Sequence, residues 1–130
     1  MLVVDASVLA PVVADGGVDG NRFRQRLRGE LVAGPDLLHL EVMSVLRRHA
    51  NSQQLTTAQV DAAMADLIAF PVKVFPSAPL LSRIWELREN VTSYDGCYVA
   101  LAEVLGCSLL TADQRLANAP GIQCETEVLV

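Results

Sequence analysis

Asp5, Glu41, Asp95 and Asp113 stand at points of this chain from which four carboxylates can converge. Asp5 closes the short apolar run Leu2-Val3-Val4, and Asp113 closes a second one that runs from Cys107 through Leu110 to Thr111 and Ala112. Asp95 opens a helical stretch. Glu41 shares a helical face with Leu37, Leu38 and Val45, where a carboxylate is seldom left without a partner. Four carboxylates ~6 Å apart would repel by roughly 2–3 kcal/mol per pair at an effective dielectric of about 20. No lysine is placed to relieve that repulsion, but divalent cations would. Oxygen-only donors select Mg²⁺ or Mn²⁺ over zinc. Neutralising one acid, Asp113 for instance, is then expected to raise the metal-free melting temperature.

Each acid also has an ordinary reading. Asp5, Asp95 and Asp113 all stand where a helix or turn begins, and Asp is a favoured N-cap. Ser7 and Thr111, two residues from an acid at the same level, either support a carboxylate or a metal-bound water or cap locally. His39 lies two residues from Glu41 and so points away from it on a helix, and His49 is near a helix end. Both histidines are read as surface or structural.

The acids need elements to bring them together. Strands are expected at 2–4, 31–33, 72–75, 107–110 and 122–125. Helices are expected at 6–14, 21–28, 36–50, 56–70, 80–89 and 95–105, with Pro35 in the first turn of the third. Thr56 and Gln59 have capping-box spacing, and Gly106 is a C-terminal stop. Strands alternating with helices imply an α/β fold on a parallel sheet. A helix from Asp95 carries the chain roughly 16 Å one way at ~1.5 Å per residue. The strand after it returns about 15–20 Å at ~3.3 Å per residue. Asp113 therefore comes back to the level of Asp95, the carboxyl edge of the sheet, where ligands of open α/β sheets bind.

Composition agrees with that architecture. The chain is long enough for one domain, residues 1–130, and its residues are 52% hydrophobic but only 5% aromatic, an aliphatic core suited to buried parallel strands. A net charge of −5 argues against passive attraction to nucleic acid, though not against an enzyme whose acids hold cations. Lys73 is the only lysine, so positive charge is carried by arginines suited to phosphate or carboxylate forks. Three cysteines without a CxxC pair are read as small buried hydrophobes in a reducing compartment. With no basic leader and no membrane-length apolar run, a cytoplasmic protein that does not enter the membrane is expected.

The blocks VVDAS, PDLLHLE at 35–41, YDGCYVALAE at 94–103 and LLTAD at 109–113 together resemble the signature of PIN-domain ribonucleases. More narrowly, they are similar to the VapC toxins of bacterial and archaeal toxin–antitoxin pairs. The resemblance covers essentially the whole chain. It implies a PIN-like three-layer sandwich, a central parallel β-sheet flanked by helices, with Asp5, Glu41, Asp95 and Asp113 as the metal-binding and catalytic acids. It also implies Mg²⁺ or Mn²⁺ as cofactor, endonucleolytic cleavage of tRNA, rRNA or mRNA, a VapB-type antitoxin as partner, and a homodimer. Where some relatives carry a further acid after the last block, this chain has Gln114-Arg115-Leu116, which leaves open whether a second metal binds.

Two other readings are kept. One is a catalytically silent PIN fold used only for binding. The other is a receiver-like phosphoacceptor, which needs a lysine at a late strand end, whereas Lys73 lies in the third strand. A haloacid-dehalogenase-type phosphatase would want an acid where Ser7 stands. The arginines either guide an RNA backbone or receive an acidic antitoxin. Phe23, Leu27 and the first helix either line a groove for a partner's helix or tail, or fill the core.

Overall fold

Short apolar runs become the strands β1 (Leu2–Val4), β2 (Val32–Pro35), β3 (Lys73–Phe75), β4 (Ser108–Thr111) and β5 (Thr126–Val128) in the computed structural model, which describes residues 1–129. They form one parallel sheet in the order β3-β2-β1-β4-β5. Val3, Val4, Leu109 and Leu110 have no exposed surface, as expected of inner strands covered on both faces.

Parallel neighbours require crossovers, and helices supply them. These are α1 (Ala6–Ala14), α2 (Val18–Leu27), α3 (Leu38–Asn51), α4 (Thr57–Ala69), α5 (Leu81–Glu86, entered through a 3₁₀ turn at Ala78–Leu80), α6 (Ser93–Leu105) and α7 (Gln114–Ala117). The result is the expected three-layer sandwich. In α6 every residue from Gly96 to Ala102 is buried, so this helix is apolar all round and sits inside the fold. Gly106 ends it in the left-handed region, at φ 63°, as the sequence predicts. The capping box of Thr56 and Gln59 also forms.

Several boundaries differ from expectation. Pro35 is the last residue of β2, opposite Phe75, rather than the first turn of a helix. The strand ends there, so its missing N–H costs the ladder nothing. The last strand is Thr126–Val128 and not 122–125. The Gln123 N–H is taken by Glu103 at 2.8 Å, and the ladder with β4 begins only at Thr126. Phe23 and Leu27 are 5% and 6% exposed. Phe23 fills the core, while Leu27 together with Val12 and Val13 of α1 lines a groove of about 540 Å³ at the start of β2, away from the acids. The cysteines are all free, Cys97 fully buried and the other two half-buried.

Two arginine–glutamate forks brace the sandwich away from the carboxyl edge. Arg83 donates to both oxygens of Glu103 at 2.7 and 3.1 Å, tying α5 to α6, and also to the Gly121 carbonyl at 2.7 Å. Arg26 on α2 donates to both oxygens of Glu127 on β5 at 2.6 and 2.9 Å.

Candidate functional site

β1 lies between β2 and β4, so the chain steps one way across the sheet for its first three strands and the other way for its last two. The crevice above β1 and β4 is the switch point of this topology, the usual ligand position in open α/β sheets. Asp5 directly follows β1, Asp113 follows β4, Glu41 is in the first turn of α3 after β2, and Asp95 is in the first turn of α6. All four predicted residues are thus delivered to one edge.

Asp5 occupies the N-cap position of α1, yet its carboxylate makes no capping bond. One oxygen accepts from the Ser7 hydroxyl and the other from the Thr111 hydroxyl, each at 2.5 Å. Ser7 Oγ accepts the Ala112 N–H at 2.8 Å, and Thr111 Oγ1 accepts the Asp113 N–H at 3.0 Å. A single buried carboxylate therefore joins the ends of β1 and β4. Burial pushes the Asp5 pKa from 3.8 up to about 6; the two hydroxyls oppose the rise and the charge of Asp95 adds to it.

Asp95 is not the cap of its helix either. Thr92 holds that position, its hydroxyl accepting the Asp95 N–H at 3.1 Å. Burial raises the Asp95 pKa, the charge of Asp113 raises it further, and Thr92 and Arg115 offset part of the rise. Glu41 is raised by burial and by Asp95. The charge of Asp95 thus raises Asp5 and Glu41, and that of Asp113 raises Asp95.

Sequence reasoning missed the grip on Glu41. Tyr98, 1% exposed, donates its hydroxyl to Glu41 Oε1 at 2.5 Å. Burial and Glu41 together hold the phenol proton far above its usual range. Tyr98 reads as part of an apolar stripe; the available signal is that a buried tyrosine needs a partner for its hydroxyl.

Asp113 behaves differently. It caps α7, accepting the Arg115 N–H at 2.9 Å, and the exposed Arg115 guanidinium lies 3.6 Å from it. The expectation of an acid cluster with no basic relief fails here, since Arg115 lies against Asp113 and also offsets part of the rise at Asp95. Relief of repulsion is thus better sought at Asp5 or Asp95. Lys73 opens β3, at the opposite edge, and packs over the Phe75 ring, so it cannot serve the phosphoacceptor reading. Asp36, a further acid at the end of β2, is used to hold the Ser77 N–H.

Among the described residues, no three His, Cys, Asp or Glu side chains form a ready-made metal cage. The hydrogen bonds give the reason: Glu41 is drawn to Tyr98, Asp113 to its cap, and Asp5 to two hydroxyls. The donor set still fits a hard divalent cation, being carboxylate oxygen throughout. No arginine or lysine pairs with Asp5, Glu41 or Asp95 among the described residues.

Comparison with known proteins gives a consistent picture. The family model described as PIN domain matches residues 2–122. Ribonuclease VapC9 of Mycobacterium tuberculosis is 40% identical over 130 residues, 99% of this chain and 98% of the relative. Among solved structures, VapC20 of Mycobacterium tuberculosis, described as a sarcin-ricin loop cleaving toxin, is similar with a TM-score of 0.72. The identity is 17%, covering 95% of this chain and 97% of that one. A toxin–antitoxin complex from Klebsiella pneumoniae is similar with a TM-score of 0.66 at 17% identity, covering 100% and 98%.

Proposed function

The chain belongs to the PIN-domain family, and on that premise we propose that it is a VapC-type endoribonuclease, the toxin of a toxin–antitoxin pair. Its centre is the set Asp5, Glu41, Asp95 and Asp113. The observation that carries this reading is the common edge to which all four acids are delivered at the topological switch point, where Asp95 raises Asp5 and Glu41 and is itself raised by Asp113.

In this reading Asp5, Glu41, Asp95 and Asp113 hold Mg²⁺ or Mn²⁺. A cation held there would supply water activation and charge neutralisation at the phosphodiester. The chain's own part is orientation. Ser7 and Thr111 fix both oxygens of Asp5 and leave each a further lone pair for a ligand. Tyr98 fixes Oε1 of Glu41 and leaves Oε2 for a ligand. Holding carboxylates by neutral hydroxyls keeps their negative charge available, which an arginine partner would cancel.

The substrate class proposed is tRNA, rRNA or mRNA, supported by the ribonuclease name of VapC9. A VapB-type antitoxin is proposed as partner, supported by the fold shared with the Klebsiella toxin–antitoxin complex. A homodimer is part of the same proposal, and exposed Leu81 and Trp85 on α5 offer it apolar surface. Among the described residues no helix is long and apolar enough to cross a membrane.

The test is cleavage of a panel of structured RNAs with Mg²⁺ or Mn²⁺ and with chelator. Cation-dependent cleavage that disappears in Asp95→Asn, with an unchanged circular dichroism spectrum, is the expected result. Full activity in folded Asp95→Asn would remove the centre. No cleavage by wild type under any cation would leave the binding-only alternative.

A further inference from the structure

A groove of about 650 Å³ runs from the acids along α3, and Ser7, Glu41, Ser44, Arg48 and Tyr94 line it. Its inner end is the centre itself: Ser7 donates to Asp5, Glu41 is one of the acids, and Tyr94 precedes Asp95. Tyr94 is 62% exposed, whereas Tyr98, one turn later, is 1% exposed and spent on Glu41. Nothing in the packing of α6 calls for an aromatic ring at 94.

Arg48 stands out among the arginines. Arg24 is bound to the Val12 and Asp15 carbonyls, Arg26 to Glu30 and Glu127, and Arg83 to Glu103. Arg28, Arg47 and Arg48 make no ion pair among the described residues. Arg28 lines a groove at the start of β2, remote from the acids, and Arg47 lines an apolar one beside Val60 and Met64. Arg48 alone of the three shares its groove with Glu41. Seven residues separate them on one face of α3, about 10 Å along the axis.

We propose, building on the nuclease reading, that this groove is a nucleotide subsite. The ring of Tyr94 stacks on an unpaired base of single-stranded RNA, and the guanidinium of Arg48 holds a phosphate neighbouring the one that is cut. Every base presents a π-face to an aromatic side chain, so stacking binds without demanding one sequence. A forked guanidinium matches a phosphate. The charge pattern favours RNA over a peptide. An acidic peptide has no base to place on Tyr94 and a basic one would meet Arg48, whereas a nucleotide offers a ring to Tyr94 and a phosphate to Arg48 at once. A base free to stack on Tyr94 belongs to a loop, bulge or end rather than to a duplex. Tyr94 and Arg48 are thus positioning residues for substrate.

The test uses a fluorescently labelled oligouridylate, with its anisotropy read in chelator and its cleavage kinetics read in Mg²⁺. Tyr94→Ala should weaken binding about tenfold, while Tyr94→Phe keeps it. Arg48→Ala should weaken binding similarly and make its salt dependence shallower by about one ion. Arg47→Ala, the control, should change neither. In cleavage the two losses should appear in KM with kcat nearly unchanged. Both target side chains are exposed, so the variants should fold as wild type. Wild type that cuts RNA while Tyr94→Ala and Arg48→Ala bind and cleave equally well overturns the subsite alone. Wild type that neither binds nor cuts RNA overturns the nuclease reading and the subsite with it. Variants that lose a copurifying protein partner but keep RNA affinity assign the groove to that partner, which also overturns the subsite.

Discussion

The acids of this chain live under two regimes. Burial by itself would raise Glu103, yet the fork from Arg83 and the Gln123 N–H bring its pKa below the ordinary value. Glu127 is lowered chiefly by Arg26. At the carboxyl edge, Asp5, Glu41 and Asp95 are all raised, with burial first among the causes and a neighbouring acid among the others. Residue type is the same in both regions and the partner differs: guanidinium forks in one, hydroxyls and other carboxylates in the other. The first arrangement favours the folded state. The second works against it and leaves charge unspent, as functional sites often do.

The contrast is broken most strongly by activity. Changing a group that merely supports a metal's ligands typically costs about 10–100-fold, so Asp95→Asn, in the proposed centre itself, should cost more, on the order of a thousandfold in cleavage rate. Glu103→Gln should cleave within about twofold of wild type at temperatures where it is folded. Equal losses in both would erase the distinction between the regions.

Stability against pH sharpens it further, because the two regions have opposite signs. Asp5 has a folded-state pKa of about 6 against an ordinary 3.8. Its contribution is fully present below the ordinary value and is lost as pH rises through about 6, amounting to at most about 3 kcal/mol. Glu103 and Glu127 are lowered, so their contributions are present above the ordinary value and fall away as pH drops through the folded one. Melting temperatures of metal-free protein should decline between pH 4 and pH 7 on account of Asp5, and Asp5→Asn should flatten that decline. Glu103→Gln should leave it in place. A wild-type profile that rises over the same interval and is unchanged in Asp5→Asn would contradict the electrostatics described for Asp5.

A smaller effect is expected at the fork. Glu103→Gln removes one charged partner of Arg83 and should cost about 2 kcal/mol, the scale of a hydrogen bond to a charged group, read by urea denaturation. Smallest of all is Asp113→Asn. Asparagine caps a helix about as well as aspartate, and the lost contact to Arg115 is exposed. Its metal-free stability should therefore stay within about 0.5 kcal/mol of wild type. A clear rise in stability instead would mean that the repulsion between Asp113 and Asp95 outweighs the contact to Arg115.

What could be read from the sequence was local or topological. Val3 and Val4 announce an inner strand, Gly106 a helix stop, and Thr56 with Gln59 a cap, because each signal is complete within a few residues. The common level of the four acids follows from strand and helix lengths alone. What each carboxylate grips does not. Tyr98 and Glu41 are far apart in the chain, and both read as members of apolar helical stripes. Asp95 and Thr92 compete for one cap, and only the backbone decides that Thr92 takes it. Residues 122–125 and 126–128 both look like strand, and the choice falls to the register with β4 and to Glu103 taking the Gln123 N–H.

The central strand has one further consequence, for the order of events in synthesis. β1 is made before the other four strands, but Leu2, Val3 and Val4 find half their ladder only in Ser108, Leu109 and Leu110. Closing that pair spans nearly the whole chain, the kind of distant parallel contact that makes folding slow. Thr111, which grips Asp5, arrives with the same strand. A growing chain can thus carry Asp5, Glu41 and Asp95 with no completed centre among them. The proposed centre is then assembled in one late step, when β4 is seated beside β1.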